Sequence, residues 1–525
     1  MASTVTKQDP RYSFLYRGKN ARFPAQESDS VARVEVCQSA EDAADALQRI
    51  VSAGMRPTIR SGGHCYEDFV ANNPGGAIID VSLINNTLTG PNGKGPYQIG
   101  AGAMLGVIYT ELYKKANVTV PGGTCYTVAA GGHMSGGGYG LLARQYGLTI
   151  DYITAIDILT VDAGGKVVKR HIDKKHDADL FRACRGASGS NFGVITAFYF
   201  DTLPSAPQTI ASAGVQFPWA TMTEEKFIHI VTTYGNYFET RGKDPDTWPM
   251  FNFMGLTRKG NADAPGGPGS LNVSASMHGM SGEPDLRIPN EFLDLFLNCG
   301  EVHADPNPQT TSHQQDPPRR GDRPQLPPCT AGKHSFSTRP WLESTIGNQG
   351  GSGSNGNTRG KYKSCYMKKN FTPEEARRMY HHLTREVPEG PVSGIIAVDS
   401  YGGATNRTQM GDETSAPQRG SIMKLQYQQY WQNPAEDAVR LKYFDEMYTD
   451  IYSANVDAQH AGTPFHNDRY EGCYINYPDA DMVRYPFLGE LYYGTGGLYP
   501  FLQDVKKRYD PNNVFHNAMS IRAKA

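Results

Sequence analysis

"PGGTCYTVAAGGHMSGGGYGLLARQYG", residues 121–147, carries nine glycines, and how they are read decides the fold. Each glycine costs backbone entropy on folding, so a purely structural loop seldom needs so many. Backbone passing close to a large flat ligand is the better physical reading. A second glycine stretch, "RSGGHCYEDF" at 60–69, follows a short strand-like run. Its consecutive glycines expose N–H groups in a way that suits a pyrophosphate. Together the two stretches point to a nucleotide or flavin site. At the level of single residues blander roles stay open: His64 and His133 as turn or core histidines, and Cys125 as a small buried hydrophobe.

The rest of the chain narrows the class. Its 525 residues suggest two domains. Lys and Arg number 51 against 53 Asp and Glu, for a net charge of −2, so neither nucleic acid nor an anionic membrane is an expected partner. No apolar run approaches the ~18 residues of a membrane span. The opening "MASTVTKQDPRY" has no apolar signal core, which makes the cytoplasm the default and secretion contingent on a removed leader. The sequons at Asn117 and Asn370 matter only in that second case. Eight scattered cysteines never form CxxC, so no metal site and no dense disulfide framework are expected. Walker A, HExxH and GxSxG motifs are missing, and "IGAGAMLG" places its third glycine one residue late for a dinucleotide fingerprint.

Periodicity gives a helix at 41–53, strands at 76–83 and 97–105, a helix at 106–117, a hairpin over 152–170 and a strand at 191–203. These make an α+β unit. Residues 207–300 mix strand-like runs with a helix at 223–241. Residues 301–360, rich in Pro, Gly, Ser, Asn and Gln, read as a long, partly mobile excursion. Helices return at 372–387, where Thr372 and Glu375 form a capping box, and at 434–454. Strands at 393–403 and 421–431 separate them, which suits an antiparallel sheet with helices on one side.

"RPTIRSGGHCYEDF" followed by "VPGGTCYTVAAGGHMSGGGYGLLARQYGLTIDYI" resembles the bicovalently flavinylated branch of the berberine bridge enzyme-like oxidases. These belong to the vanillyl-alcohol oxidase superfamily. The closing "YINYPDADM" and "YDPNNVFHNAMSI", the early "DPRY…RGKNARF" and "KYKSCY" at 361–366 carry the resemblance nearly end to end. It implies a PCMH-type FAD-binding domain at 1–205, a substrate domain of antiparallel sheet and helices at 206–470, and a C-terminal segment at 471–525 that completes the first domain. It implies FAD joined to His64 at the 8α carbon and to Cys125 at C6, with Cys65 a packed thiol. Arg60, Ser61, Gly62, Gly63, Gly122, Gly123, Gly131, Gly132, His133, Gly136, Gly137 and Gly138 would wrap the pyrophosphate and ribityl chain. Gly193, Val194 and Ile195 would pass the nucleotide end, and Asn476 would also contact the cofactor.

A group must take a proton from the substrate as hydride leaves the neighbouring carbon. A phenol, with an ordinary pKa of ~10, does this only if nearby groups stabilise phenolate. The resemblance gives that task to Tyr477, supported by Tyr139, with Lys424 and Gln426 of "KLQY" beside them and Lys424 supplying the cation. The implied reaction oxidises a small-molecule alcohol, on a sugar or a secondary metabolite, and passes the electrons to O2 as H2O2. Two rivals stand. Oxidative ring closure of an amine would want a carboxylate base, and a non-catalytic nucleotide- or sugar-binding protein would keep only a vestigial flavin site.

Overall fold

A computed structural model describes residues 2–187, 189–260, 269–297, 301–303, 329–331, 334–347, 358–407 and 413–524. Two small sheets come from the first 200 residues. The first joins β1 (Ser3–Thr6), β2 (Arg33–Val36), β3 (Pro57–Arg60) and β4 (Ala77–Asp80) in the order β1-β2-β4-β3. β4 pairs in parallel with both β2 and β3, and all four of its residues are buried. That accounts for the unbroken apolar "AII": a parallel strand covered on both faces does not alternate. The helix Ala40–Ser52, capped by Ser39, packs Ala43, Ala46, Leu47 and Ile50 inward at helical spacing.

The second sheet runs β5 (Thr87–Thr89), β6 (Tyr97–Gly100), β9 (Val194–Phe200), β7 (Ala155–Val161), β8 (Val167–Asp173), antiparallel throughout. β6 stops at Gly100, not near 105 as the sequence suggests. Gly100 and Gly102 press on the carbonyls of Ile84 and Val81, where a Cβ would stand 2.3 and 2.2 Å away, and the chain turns there into the helix Leu105–Ala116. From the far end of the chain, Phe515 enters the same core as Cys37, Val81 and Leu159.

A nine-stranded antiparallel sheet follows. It contains β10 (Thr209–Pro218), β11 (Met250–Thr257), β12 (Ser270–Gly279), β13 (Glu301–His303), β14 (Cys329–Ala331), β15 (His334–Pro340), β16 (Arg359–Met367), β17 (Ile395–Ser400) and β18 (Met423–Trp431). Every residue of β18 is buried. Tyr427 packs edge-on to Tyr448 of the helix Asp437–Ile451, so its face of β18 lies under the helices. Alternation then turns Lys424, Gln426, Gln428 and Tyr430 to the opposite face, toward the glycine-rich loops. The excursion expected at 301–360 is partly sheet. β15 pairs with β10 and buries Phe336, and Trp341 packs against Tyr109 and Tyr113. Residues 304–328, 332–333 and 348–357 of that excursion lie outside the described residues. Among the described residues no helix is long and apolar enough to cross a membrane.

Candidate active site

A cavity of about 310 Å³ runs between the two glycine stretches, with the nine-stranded sheet at one end. Ser61, Gly62, Gly63, Gly123, Gly131 and Gly132 line it, as do Gly193, Ile195 and the tail residues Phe515–Asn517. A Cβ on Gly132 would meet nothing within 4 Å and would project into open space. Gly63, at φ +75°, holds a backbone shape that glycine adopts freely. Among the described residues the N–H groups of Gly62 and Gly63 have no hydrogen-bond acceptor. Orphaned amides on a glycine-walled cleft fit an anionic, elongated cofactor such as FAD.

His64 and Cys125 meet at Thr127. Thr127 Oγ1 lies 2.9 Å from His64 Nε2 and 4.0 Å from Cys125 Sγ, so one hydroxyl touches both side chains. Both line the cavity. Cys65 also reaches it, but burial pushes its thiol up to about 12, which keeps it protonated. His133 is held neutral, its pKa lowered to about 4 by burial. Its Nε2 accepts the Gly123 N–H at 2.9 Å, which assigns the ring proton to Nδ1 and fixes the turn before Cys125. Asn476 Nδ2 donates to the His133 carbonyl at 2.9 Å and to the Tyr474 hydroxyl at 3.1 Å, tying the C-terminal tyrosine motif to the glycine-rich helix start.

Several of the expected cofactor residues have their side chains or Cα faces engaged by the protein itself. Arg60 lines the cavity. Its guanidinium is spent on Asp80 and on the carbonyls of Leu15 and Arg17, because β3 and β4 pair in the register that sets Arg60 beside Asp80. The Ser61 hydroxyl donates to the Ala101 carbonyl at 2.6 Å. Gly122, Gly136, Gly137, Gly138 and Val194 do not line the cavity. Gly136 instead makes room for the Asn476 amide, Gly138 for Thr149, and Gly122 sits against Tyr109 and His133. Val194 points into the core with Leu159 and Val161, as strand alternation requires when Gly193 and Ile195 face the cavity.

At the sheet end, Lys424 Nζ donates to Tyr477 Oη at 3.3 Å and to Asp399 Oδ2 at 2.8 Å. It also stands 4.3 Å from the Tyr139 ring centre and 4.6 Å from that of Tyr477, within cation–π range. The expected support of Tyr477 by Tyr139 therefore runs through Lys424. The Tyr139 hydroxyl itself donates to the Ser400 carbonyl at 2.9 Å. Gln426 lies farther along the strand with Tyr66 beside its amide, outside the cavity wall.

The expectation that Lys424 favours phenolate needs correction. Burial raises Tyr477 well above 10, and the Asp399 charge raises it further. Tyr139 is raised for the same reasons. Burial also raises Asp399 above the ordinary carboxylate value, against the pull of Lys424. The ammonium is already paired, so the phenol stays a phenol.

Sequence reasoning missed Asp399, Tyr66 and Thr127. Asp399 had a signal: an acid inside the apolar strand "IIAVDS" needs a buried partner. Tyr66 stacks on Tyr362 at 3.5 Å and lies 5.9 Å from Tyr477.

Comparison with known proteins gives two domain matches. The FAD binding domain family matches residues 31–170, and the family described as berberine and berberine like matches 473–522. The chain is 33% identical to aclacinomycin-N/aclacinomycin-A oxidase of Streptomyces galilaeus, over 99% of this chain and 89% of the relative. It is 32% identical to hexose oxidase of Chondrus crispus, over 100% and 95%. The crystal structure of a glycopeptide hexose oxidase complexed with teicoplanin superposes with a TM-score of 0.83 at 31% identity, covering 99% of both chains.

Proposed function

Because the chain belongs to the berberine bridge enzyme-like family of FAD-linked oxidases, we propose that it oxidises an alcohol on a sugar or a sugar-bearing natural product, using FAD tethered through both His64 and Cys125. The observation that carries this reading is the convergence of His64 and Cys125 on Thr127 in the same cavity wall that presents Tyr477. The relatives named for aclacinomycins, hexose and a glycopeptide support that substrate class.

Bound FAD would accept the hydride and hand both electrons to O2, which leaves as H2O2. The chain's own residues handle the proton and the geometry. The glycine amides at 62 and 63 take the cofactor's anionic part, and His133 and Asn476 hold the loop that carries Cys125. Tyr477 receives the substrate hydroxyl proton on Oη. A phenol held above 10 accepts a proton only as it gives one up. Lys424 first passes an ammonium proton to Asp399 Oδ2, and the amine so formed takes the Tyr477 proton on Nζ. The carboxylate is the net acceptor, and its raised pKa makes it a better base than an exposed aspartate. The chain ends with neutral Asp399, charged Lys424 and an alkoxide from which hydride departs.

The presence of Asp399 on the cavity wall also favours, as a second reading, ring closure driven by a carboxylate base. Product analysis separates the two, since alcohol oxidation yields a carbonyl or lactone and closure yields a new ring. The deciding experiment is peroxide release from a panel of oligosaccharides and of polyketide and glycopeptide alcohols. Release with at least one alcohol supports the proposal; a colourless protein that releases none overturns it.

A further inference from the structure

Four segments distant in sequence meet in a cluster of charges. Glu67 stands three residues after His64, Lys361 and Lys363 alternate along β16, and Asp479 and Asp481 follow Tyr477. Lys361 Nζ lies 2.6 Å from Glu67 Oε1, 2.6 Å from Asp479 Oδ1 and 3.1 Å from Asp481 Oδ1. Lys363 Nζ lies 2.7 Å from Asp479 Oδ2, 2.8 Å from Asp481 Oδ2 and 3.4 Å from Asp445 Oδ1. The Ala480 N–H donates to Glu67 Oε1 at 3.3 Å. Glu67, Lys361, Lys363 and Asp479 are at most 3% exposed through their side chains. Burial pulls the Lys361 pKa down, but Asp479 and Glu67 outweigh it and hold the ammonium charged.

Buried ion clusters are no better for stability than a well-packed apolar core, so stability alone does not explain this one. Its placement does. Four of the charged residues are next or nearly next in the chain to an aromatic ring of the site: Glu67 to Tyr66, Lys361 and Lys363 to Tyr362, Asp479 to Tyr477. The Tyr66 ring lies on Tyr362 and beside Tyr477, so the rings meet as the charges behind them do.

We propose that Glu67, Lys361 and Asp479 form a positioning clamp that sets the tyrosine motif against the loop bearing His64, and so fixes where Tyr477 Oη stands. The clamp rests on the reading of Tyr477 as the group that meets the substrate proton. It acts through Tyr477, not on the substrate. A neutral tie keeps two of these segments, those of Tyr66 and Lys361, together when the charges are removed: Asn20 Nδ2 donates to the Tyr66 carbonyl at 2.8 Å, and Asn20 Oδ1 accepts the Gly360 N–H at 3.1 Å.

The test uses Glu67→Gln, Lys361→Met, the double variant and Lys361→Arg, each purified with its native cofactor. Hydrogen exchange read by mass spectrometry comes first, because it does not depend on turnover. In Lys361→Met, exchange should quicken at 64–67 and at 477–481 together. Anaerobic flavin reduction should then slow on the order of tenfold to a hundredfold, with substrate Kd held within about twofold, since misplaced groups cost rate more than binding. Lys361→Arg should recover both readouts. The double variant guards against a folding defect by removing both members of the pair, and should keep the slow rate in a folded protein. Faster exchange confined to β16, or weaker substrate binding with an unchanged reduction rate, overturns the clamp. If no tested alcohol reduces the wild-type flavin, the functional reading fails, and the exchange result alone still decides the clamp.

Discussion

Asp399→Asn tests the proton path most sharply, because the structure makes two of its effects oppose each other. Lys424 Nζ stands 3.3 Å from Tyr477 Oη and 2.8 Å from Asp399 Oδ2. At an effective dielectric of about 20, unit charges at the first distance interact by about 5 kcal/mol, which sets the upper scale for what removing the opposing Asp399 charge gives a phenolate beside Lys424. That is roughly a 5,000-fold gain in acid dissociation. The substitution also removes the net proton acceptor, and general-base catalysis is worth roughly 10²–10⁴-fold. The first effect does not rescue the second at neutral pH. Tyr477 starts well above 10, so even the whole electrostatic gain leaves it largely protonated at pH 7. The expected result is a fall in anaerobic flavin reduction of about 10²-fold or more at pH 7, with recovery as pH rises and phenolate forms. The wild type should instead lose rate at the acid end, as protonation of Asp399 removes its acceptor at a pH above the ordinary carboxylate range. Stopped-flow reduction across pH 5–10 reads both curves. An Asp399→Asn enzyme as fast as wild type at pH 7 refutes the relay.

Other outcomes check separate links. His64→Ala and Cys125→Ala should each retain FAD through one bond, seen as flavin in the acid-precipitated pellet and in the intact mass, and the double variant should release all of it to the supernatant. Tyr477→Phe should leave the pellet yellow while flavin reduction slows by at least about 10²-fold; unchanged reduction moves the proton acceptor elsewhere. His278 is held neutral by burial, at about 4 against an ordinary 6.5. The unfolded chain takes up that proton first as pH falls, so the stability contribution is full above the ordinary value and drains away toward 4. Between pH 7 and pH 5 the loss is about 2 kcal/mol. His278→Gln should remove that part of the slope in urea unfolding, and an unchanged slope would place the pH dependence on other groups.

The parts of this protein legible in sequence were those written in local composition. Glycine clusters announced backbone close to a ligand, and the paired strands and capped helix at Thr372 fell where periodicity put them. His64, Cys125 and Tyr477 line one cavity, and Lys424 reaches it only through Tyr477, behind the wall. What remained hidden depends on strand register, which no local pattern states. Asp399 faces Lys424 because β17 and β18 pair at that offset, and the pairing turns a lone phenolate-stabilising cation into a neutral ion pair. The same logic engages the Arg60 guanidinium, since parallel pairing sets it against Asp80. Period-two alternation could have separated Val194 from Gly193 and Ile195. The glycines at 136–138 clear space for Asn476, Tyr474 and Thr149, a demand visible only once distant segments are packed. The described ends of the 301–360 excursion joined the large sheet despite weak apolar patterning, because β15 needs only Phe336 and the following Trp341 to anchor against β10 and the helix Leu105–Ala116.

The central claim is a tethered flavin reduced by an alcohol, and anaerobic titration of the purified protein with a reactive alcohol from the panel tests it most directly. The account predicts that substrate bleaches flavin mole for mole, that readmitted oxygen restores the colour with an equal amount of H2O2, and that the same flavin then precipitates with the protein in acid. Flavin that stays oxidised under every alcohol, or that washes free in acid, contradicts it.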